Sequence, residues 1–554
     1  MSTLFEIFGF LSVVLRGLDF VAQSVLLGSV TFAAFVATPL AGDVEERGLR
    51  RVFAGCRRVI RAAALATIVA VITATVLNAA VLAASLKISW REVAGAGFVI
   101  AGAGKVVLAA VIGLLGSAAA PPPRATRNAL AAAGALFLCA ALADTHAAAR
   151  LTNNGLLLLA TGAHELGAAL WLGGLPCFWL ALQRAGTREL ATRIGKRFSA
   201  LAITGVALIL AGAVVFAATY IGSIDGVYGT AYGAMASAKS VLLGLLLLLG
   251  FANFRALRRV SPDGAALSRV RRFVEVEMGI GFAVLMAAAS ITSMPPAIDL
   301  SRDRVTFSEL VQRITPAIPR LESPGHGTLA LPALQARLDG EREAAQESTG
   351  LRAFVPGAGA LPPRNAEDIE WSEYNHHCAG LLVIAMGLAA LAHRSGRAPW
   401  AKHWPLLFLL LAAFLFLRAD PEVWPMGDIG IIESLKDPEV AQHRLFVLVI
   451  VAFALFEWGV RTGRLASHEL LRVFPLLTAL GGTLLLTHSH ALGNVKEELL
   501  IETTHLPIAV LGIGAGWARW LEVEAPEEDG RWAGWLWPAC FVVIGLLLLG
   551  YREA

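Results

Sequence analysis

The sequence predicts an all-α fold, a polytopic bundle of about fourteen membrane-crossing helices in two groups joined by a polar linker outside the membrane. Three observations predict it. Apolar residues make up 56% of the 554 positions and charged residues only 16%. Many separate stretches run for about 20 apolar residues, enough for a helix rising 1.5 Å per residue to cross a hydrocarbon layer of roughly 30 Å. Lys and Arg concentrate in alternate connections, the pattern that orients membrane helices.

In chain order the apolar stretches lie near 8–38, 62–86, 96–117, 128–147, 156–182, 198–222, 234–254 and 274–293, giving eight helices in a first domain over 1–297. The first is predicted to be a retained helix, because residues 1–10 have neither a basic leader nor a small-residue cleavage site. Residues 298–370 are rich in Pro, Gly and charge (PRLESPGHG, DGEREAAQE, LPPRN), a composition that cannot span a bilayer. They read as a linker with one surface helix near 328–346. Further stretches near 373–393, 404–418, 444–460, 473–489, 504–520 and 533–551 make a six-helix C-terminal domain over 371–554, with 404–418 short for a span.

The connections GDVEERGLRRVFAGCRRVIR, QRAGTRELATRIGKR, FRALRRVSPDGAALSRVRR, HRSGRAPWAK and RTGRLASHELLR are strongly basic and are predicted to be cytoplasmic. SIDGVYGTAYG and DPEVWPMGDIGIIESLKDPEVAQ carry few basic residues, which puts them outside together with the N-terminus and loop 298–370. In a Gram-negative host this means the periplasm, and the inner membrane as the location. A net charge of +4 spread over short loops gives no groove-sized patch for nucleic acid. The five cysteines form no CxxC pair, so neither a disulfide framework nor a zinc ribbon is indicated, and each reads as a small buried hydrophobe. There is no P-loop, so any transport is not ATP-driven by this chain.

Eight of the twelve histidines fall at the predicted outer ends of these helices: His146, His164, His376, His377, His443, His488, His490 and His505. His393, His403 and His468 fall in inner loops. Neutral imidazole ligates copper, zinc and haem iron, and imidazoles from several helix ends can build a site with no local motif. A single interfacial histidine has a plainer role, hydrogen bonding at headgroup depth. The segment TLLLTHSHALGNVKEELLIETTHLPIAV is the densest constellation: Glu498, Glu502 and His505 share a helix face at i, i+4, i+7, and His488 and His490 approach from the preceding helix end. Together they form a candidate metal site, the alternative being a salt-bridged outer loop. The pair Glu502 and His505 is half of a di-iron carboxylate motif with no second copy.

In EYNHHCAGLLVIAMG, His376, His377 and Cys378 are consecutive and point about 100° apart, so they cannot all face one ligand, and one of the two histidines is structural. His377 with His443, His488 or His505 is also a candidate bis-histidine site for haem b. In the first half Arg16, Asp19, Lys105, Asp144, Glu165 and Lys239 sit at membrane depth, where charge is costly unless paired or watered. They read as a structural ion-pair network or as a polar pathway for a cation or proton. Met235, Met294 and Met426 near outer helix ends can complement imidazole for Cu(I), although gap filling is the commoner use of methionine.

The first half resembles the copper resistance protein D family, multi-helix inner-membrane proteins associated with copper uptake or tolerance. The resemblance is carried in order by DTHAAA (144–149), HELGAALWLGGL (164–175), VYGTAYG (227–233) with Lys239 and Asn253 downstream, and TSMPPA (292–297). One departure is that relatives commonly follow the first-helix Arg with a His, whereas here Arg16 is followed by Asp19. The second half, with WPMG and PEVAQHR, looks like a domain that accompanies some members.

The resemblance implies copper, as Cu+ or Cu2+, in a transporter or metal-handling protein rather than an enzyme. The candidate ligands then divide into His146 with His164 in the first domain, and His377, His443, His488, His490, Glu498, Glu502 and His505 in the second. Cys177 and Met286 are deeper relay donors. The expected partners are the lipid bilayer, copper ion and a periplasmic copper carrier protein. Two other readings stay open: a b-type cytochrome or other membrane redox protein, and a factor that delivers copper to another membrane protein.

Overall fold

The computed structural model describes residues 2–41, 46–116, 122–150, 153–258, 265–301, 304–324, 366–436, 438–487 and 495–553. The predicted surface helix near 328–346, and His488 and His490, lie outside them. Among the described residues there is no strand beyond an isolated bridge between Val423 and Ile429. Thirteen helices there are long and apolar enough to cross a membrane, so the protein is an all-α, multi-pass membrane protein. The chain divides into two compact units, one of Phe8–Val227 and Met235–Ser301, the other of Met1–Ile7, Tyr228–Ala234 and Arg302–Ala554.

The first unit contains the spans α1 (Phe8–Leu40), α2 (Arg47–Leu86), α3 (Gly97–Leu115), α4 (Arg124–Ala143), α5 (Asn154–Arg184), α6 (Arg188–Ile221), most of α7 (Ala231–Arg258) and α8 (Ala266–Ile291). The basic stretch read as a loop before residue 62 is helical from Glu46. At 1.5 Å per residue the helix Glu46–Leu86 is about 60 Å long, twice the hydrocarbon thickness. Its arginine-rich first half therefore continues beyond the apolar layer as helix, because nothing between Glu46 and Arg61 breaks it.

Lipid gives helices no hydrophobic reason to associate, so close crossings depend on small residues. A Cβ on Gly173 would lie 1.8 Å from Ser24 O, and one on Gly28 would lie 2.2 Å from Gly173 C, so α5 and α1 touch backbone to backbone. Gly167 and Gly205 do the same for α5 and α6, with hypothetical Cβ atoms 2.5 and 2.7 Å from each other's carbonyl oxygens. The stretch Ala169–Gly173 is a π-helical turn, a widened turn of the kind that often accompanies functional sites. Leu26, Ile60, Ile112 and Phe137 pack the core between α1, α2, α3 and α4.

The second unit contains α9 (Ile369–Arg394), α10 (Pro399–Arg418), α11 (His443–Arg461), α12 (Leu499–Glu524) and α13 (Gly530–Leu549). The stretch predicted to span over 473–489 gives the helix Val473–Leu485, 13 residues long and about 20 Å, too short to cross alone. A 3-10 turn, His468–Arg472, leads into it. Trp404, Phe453, Phe474 and Trp537 form an aromatic centre with ring centroids 5.4 to 5.5 Å apart. Gly380 on α9 meets the backbone of α13, where an added Cβ would lie 2.6 Å from Leu549 N. A short helix, Phe307–Ile314, is fixed at its start by a capping box of Thr306 and Glu309. The chain just after it joins the C-terminal tail through Ala317 N–H to Gly550 O at 3.1 Å.

Candidate functional site

The second unit brings His376 and His505 together. His376 lies in the first turns of α9, and its ring stacks on Tyr551 of the C-terminal tail with centroids 3.8 Å apart at 18°. The His505 ring, from α12, stands 6.2 Å from His376 at 89° and 6.3 Å from Tyr551 at 86°. These near-equal distances put His505 beside the edges of the stacked pair rather than over a face. His376 Nδ1 lies 2.7 Å from the carbonyl oxygen of Ser372, and His505 Nδ1 lies 2.9 Å from that of Ile501, in each case the residue one turn earlier. A carbonyl can only accept, so each Nδ1 carries the proton and each Nε2 the lone pair, the tautomer in which a metal-binding imidazole is oriented by its second nitrogen. Two imidazoles on opposite sides of one ion, with metal–nitrogen bonds of about 2.0 Å, have ring centres about 6.3 Å apart.

The tail holds this arrangement in place. Tyr551 and Glu553 are buried, the Tyr551 hydroxyl donates to Glu553 Oε2 at 2.9 Å, and Ser372 Oγ donates to the same carboxylate oxygen. The Arg313 guanidinium lies 4.7 Å over the Tyr551 ring while its Nε–H donates to Leu500 O at 3.0 Å. Burial, reinforced by the Glu553 carboxylate, pushes the Tyr551 phenol well above its ordinary value, so it stays a hydroxyl donor.

His377 faces the other way and is fully buried. Its Nδ1 accepts the Arg320 N–H at 2.7 Å and its Nε2–H donates to Tyr551 O at 2.7 Å. Both nitrogens are engaged by backbone groups, and the 100° offset expected between neighbours separates the two histidines' roles. His443, at the start of α11, has Nδ1 2.8 Å from the Asp420 carboxylate, the orientation a carboxylate gives to a ligating imidazole. Glu502 is buried on α12 one turn before His505. Glu498 is on the helix Val495–Glu524, but its side chain is not among those described. Among the described residues no three His, Cys, Asp or Glu side chains stand close enough to hold one ion.

In the first unit Lys105 of α3 is paired with Asp19 of α1, both buried. Glu165 of α5 lies within electrostatic reach of both, and His164 within reach of Lys239 of α7. His164 Nδ1 is 3.1 Å from Ile209 O, which fixes its tautomer as in the other unit, and its ring meets Phe216 edge-on at 5.3 Å. Asn253 Nδ2 donates to the buried Glu277 carboxylate between α7 and α8. His146 opens the short helix His146–Ala149, and its side chain is not among those described. Cys56 of α2 and Cys177 of α5 are buried with interacting thiols, a pairing that no local spacing announces.

Residues 192–291, which cover nearly all of α6 and the whole of α7 and α8, match the model of the family described as Copper resistance protein D. These three helices are thus similar to that family. Within the segment lie VYGTAYG, Lys239, Asn253 and Glu277, while the His164 phrase precedes it. A protein of Bacillus subtilis (strain 168) named Copper transport protein CutJ is 34% identical over 135 residues, 24% of this chain and 24% of the relative. The matched region thus spans about a quarter of that curated relative's length. No solved structure matches. The protein is accordingly a multi-pass membrane protein with a segment similar to copper resistance protein D.

Proposed function

We propose that this is an inner-membrane copper protein that binds copper at imidazoles on the side away from its basic loops and serves copper transport or resistance. The copper resistance D segment is the observation that carries the reading, and the printed name of the Bacillus relative favours transport. The chemistry fits. His376 and His505 bring two imidazoles together with ring centres 6.2 Å apart, and His443 offers another imidazole held by a carboxylate. We take His376, rather than His377, as the partner of His505. In the first unit the Asp19–Lys105 pair, Glu165, His164 and Lys239 give α1, α3, α5 and α7 a polar interior through which a cation or proton can pass.

The basic connections orient these helices, with the N-terminus and residues 298–370 in the periplasm and the imidazoles facing a periplasmic copper carrier. Two tests address the reading. Cells expressing the protein should change in copper content and copper tolerance relative to cells without it. The purified protein should contain copper by elemental analysis and show no Soret band. A stoichiometric Soret band without copper would replace this reading with the cytochrome one.

A further inference from the structure

The thiols of Cys56 and Cys177 lie between α2 and α5, at the end of these helices that carries the basic loops. Packing of the two helices puts both at one level. A Cβ on Gly48 would lie 2.3 Å from Ala185 O, which fixes one contact of the antiparallel pair. Cys56 lies eight residues onward from Gly48 and Cys177 eight residues back from Ala185, so both stand about 12 Å further along the pair. Cys56 and Cys177 are 1% and 0% exposed, and their thiols interact. The Arg184 guanidinium folds back onto this contact. A Cβ on Gly55, the neighbour of Cys56, would lie 2.8 Å from Arg184 Nη1, and that nitrogen is buried with no hydrogen-bond partner among the described residues.

Two buried thiols beside a guanidinium suit a particular ligand. Thiolates are soft donors that select Cu(I), which accepts two ligands in a line. Binding replaces two S–H bonds with two S–Cu bonds and releases two protons, with no electron transferred. The bis-thiolate complex then carries one negative charge, which the Arg184 guanidinium balances.

We propose that Cys56 and Cys177 form a buried two-coordinate Cu(I) site, with Arg184 as its counter-charge, at the basic-loop end of the first unit. The proposal rests on the copper reading above and extends it by giving the first unit a soft, sulfur-ligated site.

The test compares the purified full-length protein with Cys56→Ser/Cys177→Ser, both loaded anaerobically with Cu(I) against a chelator. The wild type is expected to hold one more copper ion than the variant and to show sulfur neighbours in X-ray absorption at the copper edge, absent from the variant. Arg184→Gln keeps both thiols and is expected to weaken the sulfur-ligated copper by about tenfold, as loss of a counter-charge in a low-dielectric site should. Thermal unfolding of the copper-free variants separates misfolding from lost ligands. Copper bound only through nitrogen in the wild type, with equal stoichiometry in the double variant, overturns this site and leaves the proposed function standing. Absence of any bound copper overturns both.

Discussion

Replacing Lys105 with Met removes one partner of a charge pair at membrane depth. The side chains of Lys105 and Asp19 are 6% and 12% exposed, and Asp19 Oδ1 has no hydrogen-bond partner among the described residues. The Asp19 carboxylate in Lys105→Met thus keeps little of its compensation. Breaking a buried pair from one side costs about 3 to 5 kcal/mol, a factor of roughly 10² to 10⁴ in the folded-to-unfolded ratio. Replacing both partners with neutral residues, Asp19→Asn with Lys105→Met, removes the uncompensated charge and should recover most of that loss. Thermal and chemical unfolding in detergent measure both quantities. Copper accumulation in cells then separates the pair's roles: a structural pair leaves the double variant active, whereas a polar pathway leaves it stable and inactive. A single Lys105→Met variant losing less than about 1 kcal/mol would refute the reasoning, because the pair would then behave like an exposed surface pair.

Gly173→Ala must separate α1 from α5, since its Cβ would meet Ser24 O at 1.8 Å; a loss of at least about 1 to 3 kcal/mol is expected in unfolding experiments. His377→Ala should lower stability by leaving the Arg320 N–H and the Tyr551 carbonyl without their partner, while copper binding per folded molecule stays unchanged. Glu92 caps the short helix Trp90–Ala94: its carboxylate accepts Ser89 N–H at 2.7 Å and the Ser89 hydroxyl at 2.8 Å, which hold its pKa below the usual 4.5. A depressed folded value means that the cap's contribution is present above the ordinary carboxylate range and is lost as pH falls through the lowered value. Hydrogen exchange of that turn should accelerate between about pH 5 and pH 3 relative to the intrinsic rate, and Glu92→Gln should abolish the pH dependence.

The spans were legible because lipid demands long apolar runs, and most helices fall close to where those runs lie, while α2, α6 and α8 begin well before them in stretches read as connections. The differences have one source. Composition reports where a segment is apolar, not where its helix ends, so the arginine-rich start of α2 reads as a loop although it is helical, and Val473–Leu485 reads as a span although it is short. The candidate site was legible by residue type but not by partner. That two adjacent histidines cannot face one ligand follows from helix geometry; that His377 is the one held by backbone groups at both nitrogens depends on Arg320 and Tyr551, far away in sequence. Tyr551 and Glu553 carried no signal, because a tail residue gains meaning only from what it folds onto. The pairs Asp19–Lys105 and Cys56–Cys177 join separate helices, and a single sequence holds no record of such contacts. His488 and His490, central to the sequence reading, lie outside the described residues.

The central claim is that imidazoles of the second unit bind copper, and that His376 and His505 are among them. Its most direct measurement is the affinity of the purified protein for Cu(I), by chelator competition, in the wild type, His376→Ala/His505→Ala and His377→Ala. The double variant should lose nitrogen-ligated copper while His377→Ala keeps it. Equal copper affinity and stoichiometry in the wild type and the double variant would contradict it.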